Sequence, residues 1–339
     1  MSDPLLSICV PTYNRARLLE SALFSLVPQV VESGDAVELV VSDNCSDDGT
    51  AEVVARYLEK GAPIRYYRNA RNLGAARNVL LLCSELALGE YCWVLGDDDI
   101  VRPDGVAHIL SVLREHPEVD YVFVNVSLLP PEKRAGFDRP VSGADFPELN
   151  PTKCSDLSDR LVARWEELID PAIDDVYLGS LMCSVFRLRK WREYPLAIDP
   201  DAAPFSSLAM TYPHSMVMAH TLRGCASFYI GHPCVITFFG RQEWSALLPM
   251  IICVRLQELL DLYLTLGMGG RRVDACRLHL LRGSGRSLTG LLSDPDMPGR
   301  EYFSLWKFIR QNRNHPWILM RLLTRGLTAA LKRRVSPRS

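Results

Sequence analysis

The stretch YCWVLGDDD, from Tyr91 to Asp99, decides the fold of this chain, because an apolar run ends there in three adjacent carboxylates. A short apolar run that stops at Gly96 predicts a buried strand. Three neighbouring aspartates repel one another unless they share a cation. Mn²⁺ or Mg²⁺ needs only one or two protein carboxylates when substrate phosphates supply further oxygens. We therefore expect Asp97 and Asp99 to hold such a metal; a solvated acidic turn before a helix at Pro103 is the alternative.

Short runs rich in β-branched or aromatic residues recur along the first 128 residues, and helical patterns with apolar residues three and four apart lie between them. The predicted strands are Leu6–Val10, Val37–Ser42, Ile64–Arg68, Tyr91–Leu95 and Val119–Leu128. Strands that alternate with helices predict an α/β fold with a mostly parallel, Rossmann-like sheet between helices. Residues 1–128 are therefore expected to form one α/β half of a domain.

The rest of the chain is less regular. Residues 129–151 hold five prolines and predict a long loop or lid. The elements expected next are a helix that buries Leu157, Leu161, Trp165 and Leu168, a strand over Ser180–Leu188, and a helix from near Pro213 to before Gly224. Residues 129–240 are thus predicted to be the second half of the same domain. Beyond Trp244 the apolar periodicity is helical, so residues 241–339 are expected to be a C-terminal helical extension.

The net charge, the cysteines and the lengths of the apolar runs indicate which kind of partner the protein binds and in which compartment it is expected. The net charge of −2 over 339 residues gives no reason to expect nucleic acid binding. The ten cysteines form no C-x-x-C pair and lie in apolar runs, which is typical of reduced, buried thiols in a cytoplasmic protein. The sequence shows neither a signal peptide nor a run of about twenty apolar residues that would span a membrane.

The stretch from Trp317 to Val335 mixes leucines with arginines and lysine and contains no acid. Arg321 and Arg325, four residues apart beside leucines, suit a helix that lies on an anionic membrane surface. A peripheral position on the inner face of the membrane is therefore one expectation. Packing against the domain, or against a second copy in a homodimer, explains the same pattern and stays open.

Polar residues also follow the other predicted strands. In an open parallel sheet, ligands bind at the carboxyl ends of the strands, so these loops are expected to converge on one edge. The candidate ligand-binding residues are Pro11, Thr12, Tyr13, Asn14 and Arg15 after the first strand, Asp43 after the second, and Asn72, Gly74 and Arg77 after the third.

Two of these candidates have an ordinary structural alternative. Asp43 can accept hydrogen bonds from the edge of a base, or it can form an Asx turn. Arg77 can reach a phosphate, or it can be a surface charge. The dinucleotide motif G-x-G-x-x-G and the P-loop motif G-x-x-x-x-G-K-[ST] are absent, which removes the main support for those two classes of site.

Four motifs, ICVPTYNR, VVSDNCSDDGT, RNLGAARN and WVLGDDD, resemble in this order family 2 of the glycosyltransferases, which have the GT-A fold. Within that family the chain is most similar to the abequosyltransferase-like branch, which acts in surface-polysaccharide assembly. The resemblance is specific over residues 5–125, weak over 175–240 and absent beyond. It implies an inverting transfer of a sugar from a nucleotide-diphosphate donor to a hydroxyl-bearing acceptor, with a divalent metal.

The resemblance also implies roles for individual residues. The residues that match the nucleotide pocket are Pro11, Thr12 and Tyr13, with Asp43 on the base. Asp97 and Asp98 match the part of the D-x-D motif near the ribose and the metal, and Asp99 matches its metal-binding end. The acceptor is left open among a polysaccharide, a lipid-linked sugar and a natural product.

One position departs from the family pattern. The family usually places a Glu-Asp pair at a helix start about ten residues before a glycine, and that Asp acts as the base. Counting back from Gly224 reaches Tyr212, Pro213 and His214, so His214 is the predicted catalytic base. An imidazole is mostly unprotonated at neutral pH, and a helix N-terminus lowers its pKa further. An ordinary structural histidine is the alternative.

Other residues and other functions stay open. Asp175, Asp199 and Asp201 are rival bases, because an acceptor hydroxyl needs one group within hydrogen-bond reach. His232 is a further candidate for the metal site. The alternatives to a glycosyltransferase are a nucleotidyltransferase that makes a nucleotide sugar and a catalytically silent module that only binds one.

Overall fold

Nine strands lie in the residues that the computed structural model describes, which are 3–130, 132–133, 152–238 and 243–335. They are β1 (Leu6–Thr12), β2 (Val37–Asp43), β3 (Ile64–Arg68), β4 (Tyr91–Val94), β5 (Ile100–Val101), β6 (Tyr121–Leu129), β7 (Arg160–Val162), β8 (Ser184–Arg187) and β9 (Ser227–Phe238). All nine belong to one sheet with the order β3-β2-β1-β4-β8-β6-β9-β5, and β7 pairs with β9.

The sheet is parallel at one side and mixed at the other. β1 is parallel to both β2 and β4, and β2 is parallel to β3, as the alternation of strands and helices predicts. β8 then inserts antiparallel between β4 and β6, and β6 is parallel to β9. The boundary predicted at residue 128 therefore falls inside β6, and the two predicted halves share one sheet.

Helices cover the sheet and form the C-terminal region. They are α1 (Ala16–Ser33), α2 (Thr50–Glu59), α3 (Ala75–Leu81), α4 (Gly105–Glu115), α5 (Leu188–Arg192), α6 (Leu208–Thr211), α7 (Pro213–Thr221), α8 (Leu248–Met250), α9 (Leu256–Thr265), α10 (Gly270–Gly283), α11 (Gly285–Ser293), α12 (Leu305–Gln311) and α13 (Pro316–Val335). π-helical turns at Leu82–Leu86 and Ile251–Arg255 extend α3 and join α8 to α9.

One apolar core runs from the sheet into the C-terminal helices. β1 buries Leu6, Ile8 and Val10 completely, since a parallel strand flanked by other strands and covered by helices has no face left for water. The same cluster continues as far as Leu280 on α10, and a smaller cluster lies between α11, α12 and α13. The helical region thus packs on the sheet domain.

Several elements of the second half agree with the sequence prediction. The helix expected near Pro213 is α7, which begins at that residue. The strand expected over Ser180–Leu188 is shorter, since a 3-10 turn precedes β8. Every regular element described beyond residue 243 is helical, as predicted. The loop or lid predicted for 129–151 lies largely outside the described residues.

The helix predicted to bury Leu157, Leu161, Trp165 and Leu168 is wrong. Leu157 and Leu161 are 51% and 53% exposed, and Leu161 lies in β7. Only Trp165 and Leu168 are buried, in a 3-10 turn. Pairing of β7 with β9 forms hydrogen bonds between strands that the local periodicity does not reveal, and this tertiary pairing decides the conformation.

Candidate functional site

Asp97 is a buried carboxylate at the end of β4, next to the end of β1. Its Oδ2 accepts a hydrogen bond from Thr12 Oγ1 at 2.7 Å, and its Oδ1 forms an ion pair with Arg15 Nη1 at 3.0 Å. Asp98 is half-buried, with Oδ2 3.7 Å from the same Arg15 nitrogen. The structure therefore brings together four of the predicted site residues, two from each loop.

Asp99 is also buried, and it faces the other side of the turn. Its Oδ2 accepts from the backbone N of Gly96 at 2.9 Å, and its Oδ1 accepts from Thr237 Oγ1 on β9 at 2.8 Å. A Cβ at Gly96 would lie 2.6 Å from Asp98 Oδ1 and 3.0 Å from Asp99 Oδ2. Only glycine allows both carboxylates to fold back this closely over the turn.

The electrostatics of this turn favour a bound cation. Burial raises the pKa of Asp97 to about 6 and, together with the Asp98 carboxylate, raises the pKa of Asp99 to about 7; Arg15 opposes the shift at Asp97. The protein itself thus supplies too little positive charge for the ionised forms. Among the described residues, no three His, Cys, Asp or Glu side chains are placed to hold a metal by themselves. The carboxylates still fit a cation that takes its other ligands from a substrate diphosphate.

The loops after β1 and β2 are tied to each other through Asn14. Its backbone N donates to Ser46 Oγ at 2.9 Å, and its Oδ1 accepts from Asp47 N at 2.9 Å. Its φ of 51° is left-handed, a conformation that asparagine tolerates better than most residues. Tyr13 is exposed beside this bridge, and Pro11 is half-buried at the end of β1.

Asp43, the last residue of β2, is fully buried and already has partners. Its Oδ1 accepts from Ser46 N at 2.8 Å, which is the Asx-type turn considered above. Its Oδ2 accepts from Tyr66 OH at 2.6 Å and lies 3.5 Å from Arg68 Nε. A base can reach this carboxylate only if one of these side chains moves aside, and the role in base binding stays a prediction.

A chain of amides fixes the third loop. Asn72 Oδ1 accepts from Asn44 Nδ2 at 2.7 Å and from Gly74 N at 2.8 Å. Asn44 Oδ1 accepts in turn from Asn69 Nδ2 at 3.0 Å. Gly74 has a φ of 82° and precedes α3, which is why a residue without Cβ suits this position. Asn72 and Gly74 therefore lie against the loop that carries Asp43.

Arg77 on α3 uses its guanidinium within the protein. Nη2 donates to the carbonyl oxygens of Asp199 at 2.5 Å and Ala202 at 3.1 Å, and Nη1 donates to that of Leu73 at 3.1 Å. These bonds hold the segment before α6 against α3. A contact between Arg77 and a phosphate stays a prediction and would have to compete with them.

His214 lies in the first turn of α7 and is only 4% exposed. Its Nε2 lies 3.0 Å from the carbonyl oxygen of Gly179. A carbonyl only accepts, so Nε2 carries the hydrogen and Nδ1 is the unprotonated nitrogen. Burial lowers the pKa of His214 to about 4, against the opposing effects of the Gly179 bond and Asp174. The lower pKa that we expected from the helix N-terminus is thus caused by burial.

The rival bases are more exposed than His214. Asp175 forms an ion pair with Lys153 Nζ at 2.7 Å; burial acts to raise its pKa, but Lys153 holds the value below normal. Asp199 and Asp201 are exposed in one turn, where Asp199 Oδ1 accepts from Asp201 N at 2.9 Å. His232 is exposed on β9. Which of these acts as a base or a metal ligand stays a prediction.

Two residues that complete the site were not predicted from the sequence. Tyr66 lies in the middle of β3 and Thr237 near the end of β9, and both donate to a predicted site carboxylate. Tyr66 could have been predicted, because β3 follows β2 in the predicted sheet and Tyr66 lies shortly before the loop after β3. Nothing in the spacing of Thr237 links it to Asp99, which lies 138 residues earlier.

Comparison with known proteins gives the following relatives. Residues 7–139 match the family model described as glycosyl transferase family 2. The chain is 33% identical over 242 residues to abequosyltransferase RfbV of Salmonella typhimurium, a match that covers 68% of this chain and 66% of that protein. It is 36% identical over 122 residues to an uncharacterised protein of Mycobacterium tuberculosis, which is 36% of either chain. The chain thus spans from about a third to about two thirds of the length of these curated relatives.

Two solved structures show the same fold. TarS 1–349 of S. aureus in complex with UDP-GlcNAc superposes with a TM-score of 0.63 at 15% identity, covering 96% of this chain and 89% of that one. A mannosyltransferase from Pyrobaculum calidifontis in complex with GDP-Man and Mn²⁺ gives 0.51 at 16% identity, covering 98% and 88%. The expected α/β fold of GT-A type with a helical C-terminal part is thereby confirmed.

Proposed function

Because the chain belongs to glycosyltransferase family 2, we propose that it moves a sugar from a nucleotide-diphosphate donor to an acceptor hydroxyl, with inversion and with a divalent metal. The observation that supports this best is the convergence of Asp43, Asp97 and Asp99 at the carboxyl ends of two strands that flank β1. That edge is where open α/β sheets bind their ligands. Relatives that carry a nucleotide sugar in their structures have the same fold.

The donor site divides into a base side and a diphosphate side. We assign the base to the loops around Asp43, where the exposed ring of Tyr13 offers a stacking surface. We assign the ribose and diphosphate to the turn Asp97–Asp99, which Thr12 and Arg15 hold in place. A divalent metal held by Asp99 and Asp97, when bound, stabilises the negative charge on the leaving diphosphate.

The transfer itself needs one base on the acceptor side, and we assign it to His214. The acceptor hydroxyl gives its proton to Nδ1 of His214 while its oxygen bonds to the anomeric carbon of the donor. The bond from that carbon to the diphosphate oxygen breaks, and its electron pair leaves with the nucleoside diphosphate. A single displacement from the opposite face inverts the configuration. The Gly179 carbonyl supports this role, since it sets the tautomer that leaves Nδ1 free of a hydrogen.

The product formed distinguishes this function from the two alternatives. A thermal-shift screen with UDP-, GDP-, TDP- and CDP-sugars identifies the donor, because a specific ligand raises the melting temperature by mass action. Incubation of that donor with the protein, Mn²⁺ and saccharide acceptors should then release the nucleoside diphosphate. Pyrophosphate formed from a nucleoside triphosphate and a sugar phosphate would instead show nucleotidyl transfer. Stabilisation by a donor without any turnover would show a binding module.

Asp43→Asn is expected to weaken nucleotide binding by roughly ten- to a hundredfold, the usual effect of losing a hydrogen bond to a charged group. The metal dependence of binding should persist, because Asp43 lies on the base side. Titration calorimetry with the nucleoside diphosphate, with and without Mn²⁺, measures both. The matched control is Asp47→Asn, an exposed carboxylate in the same loop. Affinities equal to wild type in both variants would make Asp43 a turn residue only.

The outer face of α13 supports peripheral membrane contact. Leu319 and Leu322 pack inward on the helical cluster, as the packing alternative predicts. Trp317 and Leu331, however, are 80% and 63% exposed, and Met320 and Leu327 are exposed as well. Packing on the domain therefore leaves a second set of apolar residues uncovered among arginines, a combination typical of interfacial helices. No helix in the described part of the chain is long and apolar enough to cross a membrane.

Trp317→Ser combined with Leu331→Ser is expected to reduce binding to anionic liposomes at low salt severalfold or more, because apolar insertion and charge act together in such helices. Point variants are preferable to truncation, since removing α13 would uncover Leu288 on α11. Co-sedimentation with phosphatidylglycerol vesicles measures the effect. Leu88→Ser, at an exposed leucine outside α13, serves as the control. Wild-type protein that stays unbound would end the membrane proposal.

A further inference from the structure

The loop before β8 has a backbone that bulky residues rarely adopt. Tyr177 and Leu178 have φ of 58° and 66°, and both side chains are completely buried. Two consecutive non-glycine residues in the left-handed region persist only where the surroundings hold them in place.

Asp174 holds the loop from inside. Its carboxylate is fully buried and accepts from Val176 N at 3.1 Å, from Ser180 N at 3.2 Å and from Ser180 Oγ at 3.0 Å. Lys153 Nζ lies 3.0 Å away and supplies the opposite charge. A buried charge is tolerated when it is paired and hydrogen-bonded in this way. The two ends of the loop are therefore fixed to one side chain.

The C-terminal helices hold the loop from outside, through Tyr177. Tyr263 on α9 donates from its hydroxyl to the Tyr177 carbonyl oxygen at 2.7 Å. The Tyr177 hydroxyl donates to the carbonyl oxygen of Cys276 on α10 at 3.0 Å. The Tyr263 ring also packs edge-on against Trp165, with centroids 6.1 Å apart. Tyr177 is thus clamped at its backbone and at its side chain by two different helices.

The clamped loop presents two successive carbonyl groups to the first turn of α7. Leu178 O accepts from Ser215 Oγ at 3.0 Å, and Gly179 O accepts from His214 Nε2 at 3.0 Å. A Cβ at Gly179 would lie 2.8 Å from the ring of Tyr212, so only glycine allows this approach. The position of the Gly179 oxygen therefore depends on the left-handed pair directly before it.

We propose that Tyr263 is a positioning residue, which through Tyr177 and the Gly179 carbonyl fixes the tautomer and ring orientation of His214. The inference rests on the proposed role of His214 as the base. It gives α9 and α10 a part in acceptor activation, although both lie outside residues 7–139, the part of the chain that the family model covers. Outer hydrogen bonds of this kind commonly orient an imidazole whose other nitrogen does the chemistry.

The first test reads the tautomer of His214 without any substrate. Two-dimensional ¹H–¹⁵N spectra of histidine-labelled protein at pH 7 distinguish Nε2–H from Nδ1–H, and the His214→Gln variant assigns the signal among seven histidines. Wild type should show the Nε2–H form alone. Tyr263→Phe should show an average of the two forms, because the ring can turn once the carbonyl moves. Tyr177→Phe, which frees the side-chain end of the clamp, should act in the same direction.

The second test reads catalysis. Tyr263→Phe should lower kcat for release of nucleoside diphosphate by between about tenfold and a hundredfold, the effect of a small misplacement of a catalytic group. KM for the donor should stay unchanged, which a general loss of structure would not allow. Tyr91→Phe is the matched control, because the Tyr91 hydroxyl also donates to a buried carbonyl oxygen, that of Val119, at 2.7 Å. Tyr91 is the first residue of β4, whereas the Asp97–Asp99 turn follows the last one.

The outcomes separate the two proposals. A single Nε2–H tautomer in both clamp variants, or an altered tautomer with unchanged kcat, would overturn the positioning role of Tyr263. Wild-type protein that turns over no nucleotide sugar would overturn the proposed function, while the spectra would still decide whether Tyr263 sets the tautomer. Should Tyr263→Phe melt early, Tyr177→Phe supplies the same comparison from the other end of the clamp.

Discussion

Asp99→Asn is expected to abolish the effect of Mn²⁺ on donor binding and to lower turnover by at least about a hundredfold, because metal stabilisation of the leaving diphosphate is worth several kcal/mol. The amide keeps the size of the carboxylate but loses its charge. Calorimetric titration of the donor with and without Mn²⁺ measures the first effect, and release of nucleoside diphosphate measures the second. Asp104→Asn, an exposed carboxylate shortly after the same turn, is the matched control.

The same variant carries an internal check on folding. Burial raises the pKa of Asp99 to about 7, above its ordinary value of 3.8, so the protonated carboxyl is the form that the folded protein prefers. The protonated Asp99 carboxyl stabilises the folded state fully when the pH is below the pKa that Asp99 has in the unfolded chain. This stabilisation is lost as the pH rises through about 7. Metal-free Asp99→Asn should therefore melt at a higher temperature than wild type at pH 8, and the difference should shrink near pH 4. A variant that keeps its metal response would contradict the assignment of Asp99.

His214→Gln is expected to lower turnover by roughly a hundredfold or more, the usual scale for loss of a general base. Glutamine can still donate to the Gly179 carbonyl with its side-chain amide, but it has no basic nitrogen in place of Nδ1. Donor affinity and melting temperature should therefore stay close to wild type. His220→Gln is the control on the same helix, since the His220 ring stacks on Tyr194.

Full turnover in His214→Gln would shift the assignment to Asp175, Asp199 or Asp201, each of which can be tested by the corresponding Asn variant. The acid limb of the pH profile does not make this distinction. A histidine base with an ordinary pKa would make activity fall below about pH 6.5, whereas burial lowers the pKa of His214 to about 4, within the range of a carboxylate. A general base must be unprotonated, so the activity that depends on His214 is lost on acidification only near a pKa of about 4. The pKa values of Asp97 and Asp99 are higher, about 6 and about 7. In the metal-free protein these two carboxylates therefore take up protons before His214 does as the pH falls.

The elements of residues 1–128 were predicted well because the local sequence specifies them. Each strand from β1 to β4 is a short run rich in β-branched or aromatic residues, and each following helix has its own apolar stripe, so the local pattern separates them. The segment that contains β7 failed for the opposite reason. Leu157, Leu161 and Trp165 have helical spacing, but β7 is made a strand by its distant partner β9, and a pattern within one segment does not contain that information.

The same distinction applies to the site: some of its residues are recognisable from the local sequence, whereas their partners follow only from the tertiary fold. Asp97 and Asp99 were recognisable because carboxylates at the end of a buried strand have few structural uses. What the fold adds is the partners: Thr237 for Asp99, and the Asp199 carbonyl for Arg77. Partners of this kind come from segments more than a hundred residues apart. They decide how exposed and how charged each predicted residue is.

The insertion of β8 between β4 and β6 has a consequence for protein engineering. Residues 1–128 end before β8 begins along the chain, yet β4 has β8 as one of its two neighbours. A fragment ending near residue 128, grafted onto another enzyme as an interchangeable donor module, would carry β4 with an open, apolar edge, the arrangement that promotes aggregation. Chimeras of this chain should therefore keep residues 1–238 together, so that no crossover point separates a strand of the sheet from its partner.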